Sequence, residues 1–383
     1  MITNKPIKLA IVTQFPADPE YPYGGVEAVS VNLVKSLSEI SQLDVHVITL
    51  DKGITSPRHY EWLGSTIHRL PRTAKNELIN ALFSGRDTIS SYISDLNPDI
   101  IHAHDTYGLM VSKLDYPRVF TVHGFIHGDT LLSQKNLPWI RSKIWKQIEH
   151  QGWSDQPHII SISPYVREKV SQVSKSVIHD IDNPISSRFF GIENAANKNI
   201  IFSAAVISPR KNTLNLINAI ERLSSDGHDV ELRLAGSVSN HEYGEIVAKT
   251  IKEKKLENKV KLLGRINSNE IQDELSQATI FALVSLEENS PMGIEEAMAA
   301  GIPVVTSNMC GMPYMVKDGE SGFLVNPHDV SDIARRIKQI ITDTKLMNSM
   351  RDTSRCIALE RFHPDVVAKK TYRVYKDILN HNS

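Results

Sequence analysis

The sequence predicts an α/β protein of two domains, each built on a parallel sheet. Three observations carry this reading. Short β-branched runs alternate with helical stretches, the pattern of βαβ units. The series stops and restarts near residues 180–190, where Asp182-Asn183-Pro184 breaks local structure. At 383 residues the chain is long for one compact core and ordinary for two.

In the first series Lys8–Val12 reads as a strand and Gly25–Leu37 as a helix. Val45–Leu50, Ile100–His104, Val119–His123 and Ile159–Ser163 read as further strands. Each runs into loop residues, which places those residues at the carboxyl edge of the sheet, where open α/β sheets bind ligands. The second series contains Ile200–Val206, Val230–Ala235, Val260–Leu263, Ile280–Ser285 and Pro303–Ser307 as strands. Val330–Ile341, Lys345–Leu359 and Asp365–Leu379 read as helices. The domains are expected at 1–185 and 186–363.

Composition narrows the function classes. Hydrophobic residues make up 41% and charged residues 23%, a soluble globular balance. Forty-three basic against 44 acidic side chains create no global field toward nucleic acid, so any anion site is local. Cys310 and Cys356 are far apart and form no CxxC, which argues against a disulfide framework or a zinc site. The opening MITNKPIKLAIVT has too short an apolar run for a secretory signal. No apolar stretch approaches the roughly 20 residues that span a bilayer. The expected location is cytoplasmic, at most on the inner face of a membrane.

The most informative stretch is Ala282–Val305, ALVSLEENSPMGIEEAMAAGIPVV. A strand runs into a loop, then a helix, then a buried strand. Ser290 is suited to cap that helix and Pro291 to open it, since proline lacks the N–H that would be orphaned there. The helix tip, with Met292 and Gly293, then offers amides to a diphosphate. Glu288 and Glu296 flank the tip, either as acceptors for sugar hydroxyls or as acids complementing the helix dipole. Arg210 and Lys211 follow the first strand of this series and open its first helix, a device for holding a diphosphate or simply a solvated basic turn. Gly264-Arg265 ends another strand.

In the first series Gly24-Gly25 joins the first strand to the first helix, and paired glycines let a ligand approach the backbone. No GxGxxG follows any strand, which argues against a dehydrogenase. His102 and His104 lie on one side of their strand, an arrangement for a metal pair or for core packing. Thr121-Val-His123-Gly124 ends the next strand, and Ser163 follows Ser161 at the end of another. Ile140, Ile144 and Ile148 form a helical stripe beside Arg141, Lys143 and Lys146. Such a helix packs on a sheet or rests on an anionic bilayer.

Glu288-x7-Glu296 followed by Ala-Met-Ala-x-Gly-Ile-Pro-Val-Val resembles the E-x7-E signature of the retaining GT-B glycosyltransferases of family 4. The likeness extends through Gly311, Val316, Asp318-Gly319, Gly322-Phe323-Leu324-Val325 and Pro327-x-Asp329. Glu287 and Glu295 share the spacing, but the family's second Glu directly precedes Ala-Met-Ala, which selects Glu288 and Glu296. The resemblance implies two Rossmann-like domains facing across a cleft, with the C-terminal helix 364–383 returning to the first. It implies transfer of a hexosyl group from a UDP- or GDP-sugar to a glycan or lipid-linked acceptor hydroxyl, with retention, in glycan, polysaccharide or glycolipid synthesis. Glu288 would contact the hexose and Glu296 the ribose. Lys211 would hold the diphosphate, and Arg265 would lie near the base. Ser290, Met292 and Gly293 would line the donor, Gly24 and Gly25 would approach its phosphates, and His123 would face its sugar.

The family's diphosphate arginine is Val206 here, and Arg210 is the candidate replacement. Asn289-Ser290-Pro291 stands where the family has Gly-Phe-Gly. No cofactor and no metal are expected. Asp180-Ile181-Asp182 matches the DxD of another transferase fold only in spacing. A nucleotide-sugar epimerase of the same fold and a non-catalytic nucleotide-sugar binder are the alternatives.

Overall fold

The computed structural model describes residues 5–131, 137–196 and 198–381. The chain divides into two compact units, Met1–Pro184 with Pro364–Ser383, and Ile185–His363. The division falls beside the Asn183-Pro184 break.

Unit 1 contains the strands β1 (Ile7–Val12), β2 (Leu43–Asp51), β3 (Arg58–Trp62), β4 (Ser65–Pro71), β5 (Ile100–His104), β6 (Arg118–Val122), β7 (His158–Ser161) and β8 (Val177–Asp180). They form one sheet in the order β3-β4-β2-β1-β5-β6-β7-β8. All neighbours are parallel except β3 with β4. Strands covered on both faces read as continuous apolar runs, as Leu9–Val12 does with every side chain buried. The chain winds from β1 toward β4, returns to β5 beside β1, and then proceeds to β8. The crevice between β1 and β5 is therefore a topological switch point, where such sheets bind ligands.

Three local expectations are corrected here. β6 ends at Val122, so His123 leaves the strand and enters the loop. Ser163 is not a strand end; its hydroxyl caps the helix Pro164–Ser171 by accepting from the Val166 amide. The helix Pro138–Ser154 does not bury the Ile140-Ile144-Ile148 stripe. Its buried face is Ser142, Trp145, Glu149, Gly152 and Trp153, while Ile144 is exposed. Each tryptophan buries more area than a single isoleucine, and Glu149 finds amide donors inward.

The last helix, Pro364–His381, buries Val367, Ala368, Thr371, Val374, Tyr375 and Ile378 at helical spacing. These share a core with Leu9 and Ile11 of β1 and with Leu33, Val34 and Leu37 of the helix Gly25–Ser38. Each fully buried aliphatic chain there contributes about 1.5–3 kcal/mol. Residues 382–383 lie outside the described residues.

Unit 2 contains β9 (Ile200–Ala204), β10 (Glu231–Ala235), β11 (Val260–Gly264), β12 (Ile280–Leu283), β13 (Val304–Ser307) and β14 (Gly322–Val325). The sheet is wholly parallel in the order β11-β10-β9-β12-β13-β14. Its switch point lies between β9 and β12. Among the described residues, no helix is long and apolar enough to cross a membrane.

Candidate active site

At the switch point of unit 2 the loops after β9 and β12 are laced together by backbone. The Leu286 amide donates to the Arg210 carbonyl at 2.8 Å. Arg210 Nη1 donates to the Glu287 carbonyl at 2.8 Å. Asn212 takes a left-handed backbone with φ 56°, a conformation asparagine tolerates better than most residues. Its side-chain Nδ2 donates to Val284 O at 3.1 Å and Pro327 O at 2.7 Å.

This lacing brings Lys211 Nζ onto Glu288 Oε1, with Arg210 Nη1 3.6 Å from Glu288 Oε2. The Glu288 and Lys211 side chains retain 9% and 14% exposure, and Arg210 retains 32%. A largely buried carboxylate thus carries two cations, which offsets part of the cost of desolvating them and leaves the cluster one positive charge in excess. From the other side the Gly311 amide donates to the Glu288 carbonyl at 2.8 Å. A Cβ at Gly311 would lie 1.8 Å from the Asn289 carbonyl oxygen, so only glycine lets the two loops meet.

The helix after this loop is Met292–Ala299, and its N-cap is Pro291, with φ −73° and ψ 119°. The expected cap is corrected: Pro291 precedes the first turn, and Ser290 donates instead to Glu295 Oε1 at 2.7 Å. With Pro291 at the cap position, Ser290 stands one residue too early to cap, and its hydroxyl turns to the buried Glu295 carboxyl. Met292 and Gly293 form the tip. A Cβ at Gly293 would come within 2.9 Å of Phe281 and 3.3 Å of the Ala204 carbonyl, so glycine seats the helix on the ends of β9 and β12.

The two overlapping carboxylate pairs separate by environment. Glu295 is fully buried, whereas Glu296 is half-buried and burial pushes its carboxyl up to about 8. Arg265 follows β11 on an exposed loop. Val206, beyond the end of β9, is 44% exposed.

Unit 1 presents a different arrangement at its own sheet edge. His102 is buried, Nδ1 at 2.6 Å from the Tyr375 hydroxyl and Nε2 at 2.7 Å from Thr121 Oγ1. His104 Nδ1 lies 3.1 Å from His123 Nε2. The His123 amide donates to Asp105 Oδ1 at 3.0 Å, and its ring also interacts with Asn183. Burial pushes His102 down to about 3 and His123 to about 4, and holds His104 well below the ordinary histidine range. The row is therefore uncharged at neutral pH, so each ring has one nitrogen that donates and one that accepts. Among the described residues no group of three His, Cys, Asp or Glu is arranged to hold a metal ion. Asp180 instead lies 3.5 Å from Arg167. Gly24 is the exposed, extended N-cap of the helix Gly25–Ser38, with nothing within 4 Å of where its Cβ would be.

Residues 186–356 match the family described as Glycosyl transferases group 1, and residues 23–188 match Glycosyltransferase Family 4. The chain belongs to glycosyltransferase family 4. Among its relatives is alpha-maltose-1-phosphate synthase of Mycobacterium tuberculosis, 24% identical over 94% of this chain and 97% of that protein. MMP alpha-(1->4)-mannosyltransferase of Mycolicibacterium hassiacum is 26% identical over 73% of this chain and 70% of that one. The fold is GT-B. Sucrose-phosphate synthase from Thermosynechococcus elongatus superposes with a TM-score of 0.82 at 18% identity, covering 98% of this chain and 100% of its own. HepE of Anabaena, solved with UDP-glucose, gives 0.74 at 18% identity, covering 97% and 100%.

In this glycosyltransferase Lys211, Arg210 and Glu288, singled out from sequence in unit 2, touch one another, and Ser290, Met292, Gly293 and Glu296 continue from them along the chain. Arg265 stands on the exposed loop after β11. Asn212 and Asn183 were missed. Nothing in one sequence distinguishes an asparagine that ties two loops from a surface one; the only hint was its place beside Lys211 or before Pro184.

Proposed function

We propose that this glycosyltransferase moves a hexosyl group from a UDP- or GDP-sugar to an acceptor hydroxyl with retention of configuration. The observation that carries the proposal is the Lys211–Arg210–Glu288 cluster at the unit 2 switch point, beside the tip of the helix Met292–Ala299. As the sugar–phosphate bond breaks, negative charge grows on the leaving diphosphate. Lys211, Arg210 and the first helix amides would meet that charge without reorganising, the arrangement that lowers barriers most. Arg210 takes the work of the arginine that Val206 replaces, since its guanidinium already lies against Glu288.

Glu288, once its cations turn to the diphosphate, becomes an acceptor for hexose hydroxyls. Glu296 is suited to the ribose diol, and Arg265 to the edge of the base. His123 in unit 1 is uncharged and held by His104 and Asp105, so it serves as a hydrogen-bonding neighbour of the donor sugar rather than as an acid. Gly24 and Gly25 leave room for a phosphate close to the backbone. The first unit would take the acceptor, a glycan or a lipid-linked sugar. The UDP and UDP-glucose complexes of HepE support the nucleotide class.

The direct test is a thermal-shift panel of UDP, GDP, ADP and their sugars, because a ligand specific for the folded state raises stability by mass action. UDP or GDP should stabilise the wild type and fail to stabilise Lys211→Ala at the same concentration. Equal stabilisation of both proteins would remove Lys211 from the donor site.

A further inference from the structure

Unit 1 holds a cavity of about 300 Å³ at the carboxyl edge of β1, β2 and β4, apart from the histidine row. That volume sits at the small end of small-molecule sites. Its polar wall is made of two ion pairs. Arg69 Nε donates to Asp51 Oδ2 at 2.8 Å and its Nη1 to the Pro16 carbonyl at 2.9 Å. Arg72 Nη2 donates to Glu77 Oε2 at 2.7 Å and its Nε to the Ala74 carbonyl at 3.1 Å. Each guanidinium keeps one terminal nitrogen that no described residue engages.

Asn80 also lines the cavity. It is 2% exposed, and its buried side-chain oxygen has no partner among the described residues. The Tyr107 hydroxyl accepts from the Leu50 amide at 3.0 Å, which leaves its own hydrogen to be shared with Thr49 or a guest. Phe15 and Met110 supply apolar surface. The formal charges balance, Arg69, Arg72 and Lys52 against Asp51, Glu77 and Glu27.

We infer that this cavity is the acceptor subsite and that it takes an uncharged sugar ring rather than a phosphorylated or carboxylated one. The inference rests on the transferase reading above, with unit 1 as the acceptor side. A sugar hydroxyl donates and accepts at once, and an arginine–carboxylate pair offers a donor beside an acceptor at hydroxyl spacing. A free anion would meet arginines whose charge Asp51 and Glu77 already neutralise. Each arginine here has a carboxylate of its own, whereas in unit 2 two cations share one, so this wall offers an anion no surplus positive charge. Apolar walls suit the C–H faces of a pyranose.

Saturation-transfer NMR on the full chain tests this with methyl α-D-glucopyranoside, methyl α-D-mannopyranoside and methyl β-D-galactopyranoside. Glucose 6-phosphate and glucuronate provide the anionic arm. At least one neutral glycoside should bind, and neither anion should bind more tightly. Ala17→Trp, on an exposed loop that lines the cavity, should weaken that binding by about tenfold or more. Glu77→Gln, on the half-exposed partner of Arg72, should let the anions gain on the neutral sugars.

Tighter binding of either anion to the wild type, or glycoside binding unchanged in Ala17→Trp, overturns the inference. No glycoside binding to the wild type overturns it as well. UDP stabilisation, read in parallel, reports on the donor reading alone. A protein that binds UDP but no glycoside loses the cavity assignment and keeps the donor site.

Discussion

The two units solve the same topological problem with opposite electrostatics. Both are largely parallel sheets, unit 2 wholly so, with a switch point beside a glycine-bearing loop. Unit 2 fills its switch point with formal charge, two cations on one carboxylate, and fixes them through backbone hydrogen bonds and a glycine contact. Unit 1 places neutral imidazoles at its sheet edge and fixes them through side-chain bonds, one of them from the last helix of the chain. The difference teaches where charge chemistry can reside. In unit 2 two cations are held against a shared carboxylate, as the proposed handling of a leaving diphosphate requires. In unit 1 burial keeps the imidazoles neutral, as the proposed contact with a sugar requires.

The sharpest way to break this comparison is to remove the charges of unit 2. Lys211→Ala should lower transfer by about 10²–10³-fold, the usual cost of one preorganised donor to a developing anion. Glu288→Ala should lower it comparably while leaving nucleotide binding largely intact, since Lys211 and Arg210 stay free to hold phosphate. Single-turnover transfer assays beside nucleotide thermal shifts separate the two effects. Normal transfer by Glu288→Ala would withdraw its role.

A smaller effect isolates the scaffold from the charges. Gly311→Ala removes no functional group but drives a methyl into the Asn289 carbonyl. It should cost about 1–3 kcal/mol of stability in unit 2 by overpacking. It should also reduce transfer by displacing the Glu288 loop. Denaturant titration and transfer rate should move together, and a stable variant with normal rate would show that the loop tolerates the shift.

Much of this site was legible because unit 2 encodes it in consecutive residues. The run from Ala282 to Val305 carries strand, loop, helix tip and carboxylates in one stretch, and periodicity places them on a sheet edge. The cap was misjudged because Ser290 had a rival partner in Glu295, five residues on, and only packing shows that Glu295 is buried. The strands β3 and β4 escaped notice because Leu63-Gly64 gives no strong hairpin signal between them. In unit 1 the row joins His102, Thr121, Asn183 and Tyr375 from four separate segments, a relation no local pattern carries. The helix Pro138–Ser154 was misread for the same reason. Glu149 looks like a solvent residue until the amides of Ile126 and His127 are seen to donate to it.

Opposite electrostatics also predict opposite pH responses. A histidine whose folded value is lowered binds fewer protons folded than unfolded, so acid destabilises it. His123 and His102 should each weaken unit 1 progressively as pH falls below their ordinary 6.5, toward about 4 and about 3. Glu296 runs the other way. Its folded value lies near 8 against an ordinary 4.5, so unit 2 should lose stability as pH rises between them. Hydrogen exchange resolved by peptide and corrected for intrinsic rate, at pH 5 and 7.5, would read the units separately. Unit 1 should be the less protected at pH 5 relative to its own value at 7.5, and unit 2 the more protected. Parallel responses would contradict the assignment of these groups.

The smallest effect tests whether the last helix matters for more than packing. Tyr375→Phe keeps the ring in its core and deletes only the hydroxyl that meets His102 Nδ1. A buried nitrogen left without its partner costs about 1–3 kcal/mol, and the Thr121 bond on the other ring nitrogen keeps this near the lower end. The His104 ring lies between those of His102 and His123, tilted against both, with centroids 4.5 Å from one and 4.9 Å from the other. If the row acts only as a rigid support, unit 1 should lose stability by that amount while the kcat of transfer stays within about twofold. A larger fall in kcat, with folding preserved, would mean that the tautomer of His102 is transmitted along the row. Neutral imidazoles in unit 1 would then do more than orient the sugar.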